Sequence, residues 1–331
     1  MPSGSSRLSK PKPQEIASET KRHWIPTIRD QYAHIWKTYS YIYLDPLRQL
    51  NFVEKPINLS PPQFYVYTGD PVDWALDWAK TINRQIPFIC PANDKRPGGD
   101  WETGVAGYEE RLCRRSTLSA TMATPAPDQD GAHYPIPDSG ALVSSDVVVF
   151  RGPHDKYDML PFDQWHALPV VSMTPARRPK LTQNGTKYSF ANERAMVMDK
   201  LRAALRICVY NDFSSVVVGD FGLGNYRNPP LELAEIWREV MLYDPDLRGR
   251  LASVAFVFED PRQSTVQLIL DDLQKKAKGK PPGASSSASS SSTAVAPTDF
   301  QIFSQVFDNE EIRRFLGQPD ARYGLNNLLA E

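Results

Sequence analysis

Pro97-Gly98-Gly99-Asp100 is followed, after seven residues, by Tyr108-Glu109-Glu110. Two adjacent carboxylates thus open a predicted helix a short step beyond a glycine turn. Gly98 and Gly99 allow positive φ and close backbone approach to a ligand. Amides in such a turn can hold a diphosphate, and a carboxyl beside it can protonate a glycosidic oxygen. Glutamate in a first helical turn also complements the helix dipole, so the local pattern alone fits a purely structural role as well. Adjacent helical residues point about 100° apart. Glu109 and Glu110 therefore should not face one another across a sugar at the ~5–5.5 Å of a retaining glycosidase pair. If they act, one grips hydroxyls and the other moves the proton.

A second constellation is Gly219-Asp220-Phe221-Gly222-Leu223-Gly224-Asn225-Tyr226-Arg227-Asn228-Pro229-Pro230. It follows the hydrophobic run SSVVV and precedes a helical pattern at 230–242. Strand, glycine-rich loop and helix N-terminus form a ready anion site, although a plain turn has the same ingredients. Neither GxGxxG nor a Walker GK[ST] is present, so neither a dinucleotide fold nor a P-loop is indicated. CxxC and HExxH are absent and the five histidines are scattered, so no metal and no cofactor are expected.

These loops need strands to carry them. QFYVY at 63–67, the run 87–92, DVVVF at 146–150, LPVVSM at 168–173, SSVVV at 214–218 and VAFVF at 254–258 read as strands. The later runs are unbroken and suit central strands covered on both faces. Helical patterns occupy 191–210 and 230–242, and Pro71 opens another helix after Thr68-Gly69-Asp70. The alternation predicts an α/β layered domain with a largely parallel central sheet. Ligands in such sheets bind beyond the carboxyl ends of the strands, where both glycine loops lie. Apolar spacing from 14 to about 40 predicts an N-terminal helical extension, split in two by Pro26. Residues 1–13 read as a disordered tail and 14–271 as the folded domain. Residues 272–298 read as a low-complexity linker, and 299–331 as a helical segment that docks back on the core. The stretch 123–132 reads as a mobile loop.

The chain has 331 residues, 41% of them hydrophobic, enough for one large or two small globular domains. Lys plus Arg is 38 against 39 for Asp plus Glu, which excludes a global basic field for nucleic acid. A local basic rim from Arg114, Arg115, Arg177, Arg178 and Lys180 stays open beside scattered solvated charge. Cys90, Cys113 and Cys208 fit reduced thiols. The start is polar, without a signal core, and no apolar run approaches the ~20 residues of a membrane span. An intracellular protein, nuclear or cytoplasmic and monomeric, is expected, with no membrane partner.

Both constellations together resemble the microbial-type poly(ADP-ribose) glycohydrolases, a branch of the macrodomain fold. That family carries three glycines, a short spacer and Gln-Glu-Glu. It also carries a G-x-x-G-x-G-x-[aromatic]-x-N-x-P loop, matched by Gly219, Gly222, Gly224, Tyr226, Asn228 and Pro230. Ala92-Asn93-Asp94-Lys95 looks like its Ala-Asn-Ala-Lys, and DVVVFR at 146–151 like a recurring strand. The likeness runs over about 14–260 and suggests a divergent, fungal-like member. It implies a macrodomain-like three-layer α/β/α sandwich with a mixed sheet, and hydrolysis of the glycosidic bond of poly(ADP-ribose) or ADP-ribosylated targets. Glu110 then takes the acid/base role and Glu109 orients the distal ribose. The ligand set is Asn93, Gly98, Gly99, Asp100, Tyr108, Gly222, Leu223, Gly224, Asn225, Tyr226 and Arg227. The implied partner is ADP-ribose or poly(ADP-ribose) on modified protein, or on nucleic acid if the basic rim is real. A module that binds ADP-ribose without cleaving it is the alternative.

The chain departs from the pattern in places: Arg227 stands where glycine is frequent after the aromatic. Asp100 stands for the third glycine; a carboxylate ~4 Å from a phosphate costs on the order of 4 kcal/mol at an effective dielectric near 20. It could point to solvent, be neutralised by Arg96 or Arg227, or meet a different substrate group. Tyr108 stands for the glutamine, and a phenol also donates and accepts a hydrogen bond.

Overall fold

The computed structural model describes residues 12–51, 57, 60–278 and 296–317. Among them are the strands β1 (Tyr41–Tyr43), β2 (Gln63–Thr68), β3 (Phe88–Pro91), β4 (Ala141–Val149), β5 (His166–Met173), β6 (Ser215–Val218) and β7 (Ser253–Phe258). The helices are α1 (Pro13–Glu19), α2 (Ile25–Tyr32), α3 (Pro46–Gln49), α4 (Pro71–Ile82), α5 (Tyr108–Arg115), α6 (Leu118–Ala123), α7 (Ala191–Tyr210), α8 (Pro230–Tyr243), α9 (Thr265–Lys278), α10 (Asp299–Val306) and α11 (Asn309–Leu316). The strands form one seven-stranded sheet in the order β1-β4-β5-β3-β6-β7-β2. Neighbours from β5 to β2 pair in parallel, whereas β4 runs antiparallel to both β1 and β5.

Strand alternation builds the three layers. Val216 and Val218, with Val254, Phe256 and Phe258, pack into the core that includes residues of α7, α8 and α10. Val217, Ala255 and Val257 face the opposite core, with residues of α4, α5 and α6. Side chains of successive strand residues point to opposite faces, so hydrophobic runs of this kind require cover on both. This is the mixed, mainly parallel α/β architecture expected from the run pattern. No helix of the described residues is long and apolar enough to cross a membrane.

Local chemistry sets several boundaries. Asp70 caps α4, accepting from the amides of Val72 at 2.8 Å and Asp73 at 3.2 Å ahead of a proline-first turn. The N-terminal extension has two α-helical pieces, α1 and α2, with Pro26 in the first turn of α2. A π-helical turn at Thr20–Trp24 joins α1 to α2 and absorbs the register change around it. The stretch 123–132 is pinned rather than loose: Gln129 accepts from the amide of Ile42 and donates to its carbonyl, at 2.8 and 2.9 Å, and so completes the edge of β1. The helix α9 continues to Lys278, beyond residue 271, where the composition shift places the end of the domain. Of the expected tail at 1–13, Lys12 and Pro13 already open α1; residues 1–11, most of the linker and residues 318–331 lie outside the described residues.

The C-terminal helices pack into the main core. Thr298 and Gln301 form a reciprocal capping box at the start of α10. Phe303 and Phe307 lie 5.1 and 4.5 Å, ring centre to ring centre, from Phe256, and Phe307 lies 4.9 Å from Phe64. Arg238 of α8 covers the Phe315 ring at 3.9 Å and pairs with Glu311 at 3.1 Å. Removing a buried phenylalanine side chain costs about 3–5 kcal/mol. Phe303→Ala should lower stability by that amount in denaturant titration; a loss under about 1 kcal/mol would show that α10 is peripheral to the core.

Candidate active site

Both glycine loops emerge from the carboxyl ends of adjacent parallel strands. The first follows β3 and the second follows β6, which pair directly. Between them, and against the end of β7, lies a cleft of about 370 Å³. Asn93, Gly107, Tyr108, Glu109 and Glu110 line it from the first side, and Asp220, Leu223, Gly224, Asn225 and Tyr226 from the second.

Glu109 and Glu110 are separated by the helix rotation. Glu109 points inward and is 3% exposed. Its two oxygens accept the backbone amides of Asn93 at 2.7 Å and Gly98 at 3.0 Å. Burial raises its carboxyl well above the ordinary value, and those two amides oppose the shift. Each oxygen keeps a further lone pair. Glu110 occupies a slot between two glycines. A Cβ placed on Gly99 would lie 2.7 Å from its Oε1, and one on Gly107 would lie 2.1 Å from its Oε2. Gly107 is also the N-cap of α5. The glycines therefore make room for this carboxylate as well as bending the chain.

Asn93 accepts the amides of Lys95 and Arg96 at 2.9 and 3.2 Å, an Asx-type turn that starts the loop. Gly98, with φ of 76°, rests on Trp101 and the Cys113 sulfur, where no Cβ fits. Arg114 fixes the rest of the loop, donating to the carbonyls of Trp101, Thr103 and Val105. Asp100 is half exposed and pairs with Arg96, one of the three accounts open from the sequence. It does not line the cleft.

The second loop hangs on a buried asparagine. Asn228 donates to the carbonyls of Ala176 and Gly222 at 2.8 and 2.7 Å and accepts from the Tyr188 hydroxyl at 3.0 Å. Gly224 donates its amide to Thr265, which donates in turn to buried Asp299. Gly222 has a φ of 82° and packs against Asn228 and Leu233, so it shapes the loop from behind. Arg227 does not join the cleft residues: its side chain turns away to Asp272, at 3.0 Å. Tyr108 packs under Gly219, and burial with Asp220 and Glu259 nearby keeps its phenol protonated.

Several cleft residues carried no clear sequence signal. Arg111 pairs with Glu259, and the His154 Nδ1 lies 3.5 Å from the other Glu259 oxygen. Glu259 and Asp260 directly follow β7, so the strand-end rule could have found them; His154 lies in a loop with no such marker. Asp70, His154 and Glu259 place possible metal-ligand atoms within 4.8 Å of one another. Their charge is already met: Asp70 binds Arg115 at 2.9 Å and Glu259 binds Arg111. Arg114 and Arg115 are buried against backbone carbonyls and α4 carboxylates. They do not form part of a basic rim.

Residues 26–152 match the model of the microbial-type PARG catalytic domain. Over that stretch the chain is similar to the microbial-type PARG catalytic domain. The matched stretch holds the first loop and both glutamates. Solved structures extend the likeness of fold further. A poly(ADP-ribose) glycohydrolase from Thermomonospora curvata is 17% identical, with a TM-score of 0.59 over 79% of this chain and 98% of that one. The same enzyme bound to the inhibitor ADP-HPD is equally similar. The enzyme from Deinococcus radiodurans in complex with ADP-ribose is 19% identical, with a TM-score of 0.52 over 74% of this chain and 98% of that one. The fold is thus macrodomain-like. No curated protein sequence matches the chain.

Two carboxylates of the cleft have raised pKa values. Burial lifts Asp220 to about 6, opposed by the hydrogen bond from Gln263. Burial lifts Glu259 to about 7, against the pull of Arg111. A carboxyl raised in the folded state favours folding below its unfolded pKa, and that contribution is lost as pH rises toward the folded value. Between pH 4.5 and 7 the ionisation of Glu259 therefore costs stability. Glu259→Gln should gain on wild type over that window, by about 2–4 kcal/mol in the pH-dependent part. A pH-independent difference in thermal denaturation would contradict the raised value.

Proposed function

We propose that the protein is an ADP-ribose glycohydrolase in which Glu110 is the acid/base. The observation that carries this is the slot between Gly99 and Gly107, which presents the Glu110 carboxylate to the cleft while Glu109 is held below it by two amides. ADP-ribose would lie across the strand ends with its diphosphate along Gly224–Tyr226. The amides of Gly224 and Tyr226 are held by Thr265 and Leu223, which fixes the turn and leaves the Asn225 amide to donate to an anion there. The distal ribose would reach the first loop, where the free lone pairs of Glu109 and the Asn93 side chain can meet its hydroxyls.

Glu110 in its acid form donates its proton to the leaving oxygen as the C1–O bond of the distal ribose breaks and an oxocarbenium-like ribose forms. The carboxylate left behind takes a proton from the attacking water, whose oxygen bonds to C1. Atoms and charge balance, and Glu110 ends in its starting state. Tyr108, kept protonated, can donate to a ligand oxygen. Asp100, tied to Arg96, leaves the diphosphate position free of an added negative charge.

Release of ADP-ribose from automodified poly(ADP-ribosyl)ated protein tests the reading. Wild type should release it, and Glu110→Gln should lower the rate by at least about 10²-fold while ADP-ribose still binds in calorimetry. Equal rates would remove Glu110 from the mechanism; binding without release by wild type would identify a reader module. Gly107→Ala keeps an ordinary backbone conformation, since the φ there is −77°. Its methyl should displace the Glu110 carboxylate and cost about 10-fold or more in kcat, with the melting temperature within a few degrees of wild type. Unchanged kcat would show that the slot does not position Glu110.

A further inference from the structure

The strip of chain at 224–227 has a second face. Tyr226 lines the cleft, but the next residue, Arg227, adopts a φ of 61° and turns into a separate groove of about 620 Å³. The amide of Arg178, on the groove side, donates to the Tyr226 carbonyl at 2.7 Å. Cleft and groove therefore share one wall.

The groove is strongly cationic. Arg178, Lys180, Arg227, Lys275 and Lys276 line it, against the single carboxylate of Asp272. Asp272 is 3.0 Å from Arg227 and 3.6 Å from Arg178. Lys180, Lys275 and Lys276 form no ion pair among the described residues. The chain as a whole has a net charge of −1, so this concentration is local rather than a reflection of composition. An aromatic surface accompanies it: Phe190 is 50% exposed, with the Lys180 ammonium 5.5 Å from its ring centre. Cations interleaved with an exposed ring suit a single-stranded nucleotide chain, whose phosphates meet the charges and whose bases stack.

We propose that this groove binds a further unit of a poly(ADP-ribose) chain whose terminal unit occupies the cleft. The inference rests on the glycohydrolase reading of the cleft. The shared wall favours this ligand over a nucleic acid: the Tyr226 phenol feels the charges of Glu109 and Glu110, so an outer unit joined through the bond beside Glu110 leaves past Tyr226 toward the groove. The diphosphate of the outer unit lies against Lys180, Lys275 and Lys276, and its adenine reaches Phe190.

The test is the triple variant Lys180→Gln, Lys275→Gln, Lys276→Gln in the full chain. Its affinities for ADP-ribose and for size-fractionated poly(ADP-ribose) are measured over a series of salt concentrations, with a single-stranded oligonucleotide as competitor. These side chains are exposed and lie outside the cleft. Monomer affinity should stay within twofold of wild type, while polymer affinity falls at least tenfold at low salt. The slope of log K against log salt should flatten by about 1.4, at ~0.7 for each of the two phosphates on a single strand. Unchanged polymer affinity and slope, with monomer binding intact, would overturn the groove and leave the cleft reading standing. An oligonucleotide that displaces the polymer with the same lysine dependence would also overturn it, in favour of nucleic acid. A wild type that binds no monomer would defeat the cleft reading itself, and the groove assignment with it.

Discussion

The carboxylate of Glu109, buried and bonded to the amides of Asn93 and Gly98, is the constraint on which the site depends. One side chain ties the loop after β3 to the first turn of α5. Without it the amides would be buried donors lacking partners, each costing about 1–3 kcal/mol. With it, Gly98 and Gly99 are set close to the helix start, and the neighbouring carboxylate has one place to go. Burial raises the Glu109 carboxyl because its charge is desolvated, and the two amides recover part of that cost. One glutamate is thus used for geometry, and the proposed mechanism gives the chemistry to the other.

The same logic recurs around the cleft. Buried polar side chains fix irregular backbone, and the backbone in turn shapes the cleft. Arg114 holds three carbonyls of the first loop, and Asn228 holds two carbonyls and a tyrosine hydroxyl around the second. Thr265 and Asp299 reach from α9 and α10 to the amide of Gly224. The C-terminal helices therefore support the second loop as well as the core. Loops held this way can present amides to an anion with little reorganisation, which is how preorganised sites stabilise developing charge.

Much of this was legible in the sequence where local pattern decides structure. The runs SSVVV and VAFVF announced buried parallel strands, the 191–210 periodicity gave α7, and the helix rotation separated Glu109 from Glu110. Long-range contacts were not legible. Three-residue β1 becomes a strand only through β4 and Gln129. Arg114 and Arg115 look like surface charge until the fold brings carbonyls and carboxylates to them. Arg227 is expected among the ligand residues from the loop pattern, yet its left-handed φ and Asp272 turn it out of the cleft. His154 and Arg111 meet Glu259 only because the β4–β5 loop, α5 and the end of β7 converge.

The division of labour between the two glutamates is the central claim. Hydrogen exchange at the amides of Asn93 and Gly98, followed beside ADP-ribose release in Glu109→Gln and Glu110→Gln, tests it most directly. Glu109→Gln should lose protection at both amides and lose activity as the loop loosens. Glu110→Gln should keep wild-type protection and lose activity alone. Equal protection in both variants would contradict the account, because Glu109 would then not be what holds the loop in place.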